Sequence, residues 1–177
     1  DVFSLPISEG GIHQVLERAT AKAEPAYKLI QDRISQAEVV GADETGTRIG
    51  KEKGWFWTWQ NEKLTFIAAS MNRGTQTINK HFGDGFPKAV LVHDCWRSPF
   101  EPIVKTHQIC IAHLLRELTH LDECYDSPWP KLFKELLRDA IHLKKELKPS
   151  DYFSPISERA DLVRRLTELI EKPINPN

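Results

Sequence analysis

Two short apolar runs in this chain each end on an aspartate: Val39-Val40-Gly41-Ala42-Asp43 and Ala89-Val90-Leu91-Val92-His93-Asp94. An apolar run of this length, bounded by polar residues, reads as a buried strand. Each therefore predicts a strand that delivers a carboxylate at its C-terminal end. The residues between them constrain how the two strands can meet. Gly54-Trp55-Phe56-Trp57-Thr58-Trp59 and residues 64–70 read as two further strands, separated by a turn at Gln60-Asn61-Glu62-Lys63. Residues 74–82 predict a helix closed by Gly83 and Gly85, and Pro87 precedes the second aspartate strand. A loop with Pro99 and Pro102 then leads to a fifth strand around residues 107–111.

Three strands on short connections predict an antiparallel meander. A strand, helix, strand passage predicts a parallel pairing after it. This order is that of an RNase H-like core, an α/β fold built on a mixed sheet with flanking helices. Residues 8–36 read as helix, broken or kinked near Pro25, with Ile12, Val15, Leu16 and Ala19 at helical spacing and Tyr27, Ile30 and Ile34 continuing it. From Ala112 onward the chain reads as helical, with Leu114, Leu115, Leu118 and Leu121 as one stripe. Second and third helices are predicted after Ser127-Pro128 and Ser154-Pro155, each an N-cap with Pro at the first helical position. The tail, residues 172–177, cannot continue a helix. The expected organisation is an N-terminal helical linker (1–37), an incomplete RNase H-like core (38–125) and an α-helical extension or insertion (126–177).

With 40% hydrophobic and 28% charged residues the chain reads as an ordinary globular protein, and no apolar run approaches the roughly 20 residues of a membrane span. Cys95, Cys110 and Cys124 are odd in number and irregular in spacing, which argues against a disulfide framework and for a reducing cytoplasm. There is no initiator Met and no signal-peptide pattern, so a fragment or a processed product is expected. The formal net charge of −1 excludes a broadly basic surface. Any grip on nucleic acid must come from a local patch, and Arg48, Lys51, Lys53 and Arg73 form the basic cluster nearest the aspartates.

Taken singly, Asp43 in Ala42-Asp43-Glu44-Thr45-Gly46 reads as a turn carboxylate and Asp94 as a loop or N-cap carboxylate. As a pair they say more. Neighbouring strands lie roughly 5 Å apart, and two carboxylates at that spacing suit divalent magnesium or manganese, which prefer hard oxygen ligands. Such a pair is the core of two-metal phosphoryl-transfer sites. Glu44, one residue on, points to the opposite face and cannot easily share a metal with Asp43. Cys110 and His113 stand three apart at a strand-to-helix junction. Zinc is conceivable there with Cys95, Cys124, His93 or His107 as further ligands, but structural zinc normally takes four ligands in paired short spacings and one such pair is present. The better reading has Cys110 buried and His113 hydrogen-bonding near the carboxylates. Arg116, one turn from His113, can reach a phosphate, and Glu117 follows it. Trp55, Trp57 and Trp59 share one strand face, where core packing is favoured over base stacking.

These residues resemble the transposases of the insertion sequence 66 family, bacterial enzymes of the DDE type. The resemblance runs over about residues 8 to 147 and rests on Ala42-Asp43-Glu44-Thr45-Gly46, Val90-Leu91-Val92-His93-Asp94 and His107-Gln108-Ile109-Cys110-Ile111-Ala112-His113-Leu114-Leu115-Arg116-Glu117-Leu118. It implies that Asp43 and Asp94 are the first two catalytic aspartates, holding Mg2+ or Mn2+, and that Cys110 and His113 are the motif after the fifth strand. It implies a third carboxylate, a glutamate on a helix after a helical insertion. No segment here matches that motif, so the glutamate is expected beyond Asn177, with Glu117 as the in-chain fallback, and the fragment alone is expected to be inactive. The implied reaction is DNA transposition: metal-dependent nicking of donor DNA, then attack of the freed 3′-hydroxyl on target DNA. The implied partners are transposon-end and target DNA and, in the full-length protein, further copies of itself, with no membrane. The implied location is the cytoplasm, at the nucleoid. Two alternatives stand beside this: an RNase H-like nuclease or inactive derivative, and a zinc-binding or helical interaction module without catalysis.

Overall fold

Side chains alternate across a strand, and here that alternation sorts the sheet into an aromatic face and an open face. In the computed structural model, which describes residues 6–152, 154 and 156–171, five strands form one mixed sheet: β1 (Val39–Ile49), β2 (Glu52–Gln60), β3 (Thr65–Ser70), β4 (Phe86–His93) and β5 (Val104–Ile109). Their order is β3-β2-β1-β4-β5. The first three are an antiparallel meander and β4 joins β1 in parallel, as the sequence predicts. The β1–β2 turn is closed at Gly50, whose φ of 64° favours glycine.

The register puts Ala42 beside Trp59 and Trp59 beside Phe66. Val40, Ala42, Trp57, Trp59, Phe66, Ala68, Ala89 and Leu91 therefore share one face. Ile34 of α1 (Glu9–Ser35) and Ile78 and Phe82 at α2 (Thr75–His81) pack into the same core. Rings interlock: Trp57 and Trp59 stack at 5.5 Å between centroids, and Phe82 lies 5.0 Å from Trp59 and 4.8 Å from Phe86. Tyr27 of α1 ties down the edge strand, its hydroxyl donating to the Ile67 carbonyl at 2.8 Å. The other face leaves Val39, Phe56 and Ile67 exposed.

Four local expectations differ from the structure. α1 runs through Pro25 without a break. One missing backbone donor does not end a helix whose later turns are docked through Tyr27 and Ile34, whereas Ile12, Val15 and Leu16 stay exposed. β1 does not stop at Asp43 but continues to Ile49, because Thr45 to Ile49 pair with β2, and that cross-strand ladder overrides the turn-like composition of residues 43–46. Pro87 lies inside β4 rather than before it, and Asp94 is one residue past its end. β5 begins at Val104, several residues earlier than expected, where Val104 packs against the core.

The chain divides into two compact units, residues 1–108 and 109–177. The second holds α3 (Ile111–Cys124), α4 (Trp129–Glu146) and α5 (Ser157–Glu171). α4 starts one residue past Ser127-Pro128, with the Trp129 amide donating to the Ser127 hydroxyl at 3.3 Å. The Trp129 indole donates to the Leu169 carbonyl at 2.8 Å, which fastens α4 to α5. Pro155 of the expected third N-cap and the tail 172–177 lie outside the described residues.

Candidate functional site

Parallel pairing of β1 with β4 decides where the two aspartates go. Val39 pairs with Val90, Val40 with Leu91 and Gly41 with Val92, a constant offset of 51 residues. The ladder ends there; the same offset extrapolated two residues would match Asp43 with Asp94, which lies one residue past the end of β4. Asp43 stands in mid-strand on the open face and is exposed, and one of its carboxylate oxygens accepts from the Glu44 amide at 2.9 Å. Asp94 is half-buried, and its Oδ1 accepts from the Trp96 amide at 2.9 Å in an Asx-type turn.

Glu44 turns the other way. It shares parity with Val40 and Ala42, so it enters the covered face, where its side chain is 2% exposed. A buried carboxylate needs a partner, and Arg73, from the loop between β3 and α2, supplies it: Nε to Oε1 is 2.8 Å. The Arg73 guanidinium in turn lies over Trp55 of β2 at 4.7 Å and over Trp96 at 4.0 Å. A cation above two indole faces gains favourable electrostatics and loses little freedom when held flat. Burial pushes the Glu44 carboxyl above its usual range; Arg73 opposes this, and Asp94 and Asp43 add to it. Both aspartates thus act on the one carboxyl that Arg73 holds in a salt bridge.

His93, the last residue of β4, is 1% exposed. Its Nδ1 lies 2.5 Å from the Asp94 carbonyl and its Nε2 lies 3.0 Å from Nδ1 of His107 on β5. A carbonyl only accepts, so neutral His93 donates from Nδ1 and accepts at Nε2 from His107. Burial lowers the His93 pKa, which favours this neutral form. Phe100 packs edge-on to the ring at 4.4 Å. The pair fixes the main chain at the residue that carries the second aspartate.

Other residues singled out by sequence fall elsewhere. Cys110 occupies the N-cap position of α3 and is half-buried rather than buried; His113 is half-buried on the first turn, and Arg116 and Glu117 are exposed. All four belong to the helical unit. Of the zinc ligands considered, His93 and His107 bind each other, Cys95 and Cys124 are exposed, and Cys124 lies 3.6 Å from His120. Among the described residues no group of three or more His, Cys, Asp and Glu side chains is set to hold a metal ion. Asp43 and Asp94 offer a pair of hard oxygen donors, which is the chemistry that suits magnesium or manganese rather than zinc.

Sequence reasoning missed Glu44, Arg73 and Trp96 as a unit. One signal was available: an acid at the same parity as Val40 and Ala42 must be buried, and a buried acid requires a cation. Trp57 and Trp59 are core residues as expected, but Trp55 is half-buried and serves as the platform for Arg73. No helix among the described residues is long and apolar enough to cross a membrane. In comparison with known proteins, the family model described as transposase, IS66 family, matches residues 2–175. No curated protein matches the chain.

Proposed function

The chain belongs to the IS66 family of transposases, and we propose that within it Asp43 and Asp94 form the metal-binding half of a DDE-type site on an RNase H-like sheet. The observation that supports this reading is the parallel β1–β4 register, whose 51-residue offset, extrapolated two residues past its last pair, matches Asp43 with Asp94. The strand sequence of a three-stranded meander, a helix and a parallel fourth strand supports the RNase H-like assignment.

Asp43 and Asp94 would hold Mg2+ or Mn2+. When bound, such ions lower the pKa of the attacking oxygen's proton and stabilise the leaving oxygen of an in-line phosphoryl transfer. The protein's own part is positioning. The Glu44 amide orients one oxygen of Asp43, and the Trp96 amide does the same for Asp94. His93, held neutral by burial against the opposing pull of its bond to the Asp94 carbonyl, keeps that main chain in place. Arg73 occupies the Glu44 carboxylate, so this third acid stays turned into the covered face. The substrate would be DNA, cut at transposon ends and joined to target. With a net charge of −1 the chain's own hold on DNA is weak and strongly salt-dependent.

Strand cleavage of transposon-end DNA in manganese by the full-length transposase is the test. Asp43→Asn and Asp94→Asn should each lower it by about 100-fold or more, since the amide cannot bridge cations and even residues one shell further out are worth that much. Their circular dichroism should match the unchanged protein. Full activity in either variant ends the proposal. Glu117→Gln tests the in-chain fallback: loss of cleavage supports Glu117 as the third carboxylate, and retention excludes it.

A further inference from the structure

The β1–β2 hairpin carries an arrangement that the sheet itself does not favour. Arg48 and Lys53 are direct cross-strand partners, so their side chains leave the same face side by side. Like charges directly opposite each other destabilise a strand pair. Glu52 does not relieve them: it neighbours Lys53, pairs with Ile49 and points to the other face. Among the described residues neither Arg48, Lys51 nor Lys53 enters an ion pair. All three are exposed, and with Gly46 and Thr47 they line one open concavity of about 530 Å³. Among the described residues nothing anionic lines it.

The patch is also continuous with the candidate site. Lys53 and Trp55 are two residues apart on β2 and share a face, and Lys53 Nζ lies 4.9 Å from the Trp55 ring centroid. Arg73 covers the same ring at 4.7 Å and reaches on to Glu44. A strip of cations and one indole thus runs along the hairpin from its tip toward the acids. In a chain with net charge −1, this concentrates positive potential on one protruding element.

We propose that the tip of the β1–β2 hairpin is a contact for the phosphate backbone of DNA, with Arg48, Lys51 and Lys53 neutralising phosphates without reading sequence. The uncompensated cross-strand repulsion is retained because a polyanion relieves it. The inference rests on the reading of the chain as a DNA-processing protein.

The test is binding of a labelled duplex by the intact 177-residue chain across a salt series. Each phosphate contact contributes about 0.9 to the slope of log affinity against log salt, so Arg48→Gln/Lys53→Gln should make the slope shallower by about 2 and weaken every DNA sequence alike. Lys53→Glu gives an effect of opposite sign in two readouts. It sets an acid across from Arg48, so the melting temperature should rise while DNA binding falls. A purely structural role would move both in the same direction. Unchanged slope in the double variant, with the parent chain binding duplex normally, overturns the inference and leaves the DNA reading standing. A parent chain that fails to bind duplex even at low salt overturns both. Poly-glutamate competing as well as duplex would make the patch a contact for acidic protein and overturn the inference.

Discussion

The two units of this chain are held together by different means. In the sheet-bearing unit the largest fully buried side chains are aromatic: Trp57, Trp59, Phe66 and Phe86. In the helical unit α3, α4 and α5 bury one leucine each, Leu118, Leu136 and Leu169, and α4 also buries Lys134. That lysine is paired with Asp122 of α3 at 2.7 Å, while Arg165 of α5 bridges Asp139 of α4 at 2.8 Å and Asp161 at 3.7 Å. Aromatic burial removes large apolar area from water and does not depend on ions. Ion pairs between helices depend on pH and salt and contribute less. The unit that carries Asp43 and Asp94 is therefore the one whose geometry is secured by packing.

The comparison breaks most readily at single core residues. Trp59→Ala should cost the sheet-bearing unit about 3–5 kcal/mol, and Leu136→Ala should cost the helical unit about 2–3 kcal/mol, at the lower end for its type because the core around it is thin. Urea unfolding followed by hydrogen exchange of each unit measures both. Equal losses, or a larger one at Leu136, would mean the packing difference does not set stability.

Acid gives a smaller effect that sharpens the contrast. Burial lowers the His93 and His81 pKa values below 6.5, so the unfolded chain binds these protons first. Their contribution is intact above about 6.5, falls as pH drops below it, and is fully lost below the lowered folded values. Glu44 runs the other way near its ordinary 4.5, because its raised pKa lets the folded state take up a proton more readily. Asp122 is held below 3.8 by Lys134, so the helical unit keeps that contribution until the pH falls past 3.8. Hydrogen exchange between pH 7 and 5 should therefore loosen the sheet-bearing unit first. His93→Gln should flatten its response, and a helical unit that loosens first would reverse the assignment.

Salt should produce the smallest change. At 1 M the screening length is about 3 Å, so the Asp122–Lys134 and Arg165 pairs weaken while the aromatic core does not. Melting of the helical unit should shift down slightly in sodium chloride, with no shift for the sheet-bearing unit.

How much of this could be read from sequence depended on distance along the chain. The strands of the meander and the parallel return were legible because each is a local run with its own periodicity. The true length of β1 was not, because Asp43-Glu44-Thr45-Gly46 has turn composition and only pairing with the tryptophan strand keeps it extended. Pro25 misled for a similar reason: its local cost is real, but docking of later turns outweighs it. The two strands that lead to Asp43 and Asp94 were visible. The Glu44–Arg73 pair and the His93–His107 bond were not, since each joins residues 29 and 14 positions apart that no local pattern links.

The parallel β1–β4 ladder also sets the order in which this site comes into being. The hairpins of the meander close over a few residues and form early, whereas the β1–β4 pairing spans 51 residues and must overcome a larger loop-closure entropy before any contact rewards it. Asp43 is therefore fixed in its strand while Asp94 is still on an unpaired segment. During synthesis the chain passes through a stage in which the meander is built and β4 is not yet paired. On this pathway completion of the mixed sheet is a late folding event, reached only with its longest closure.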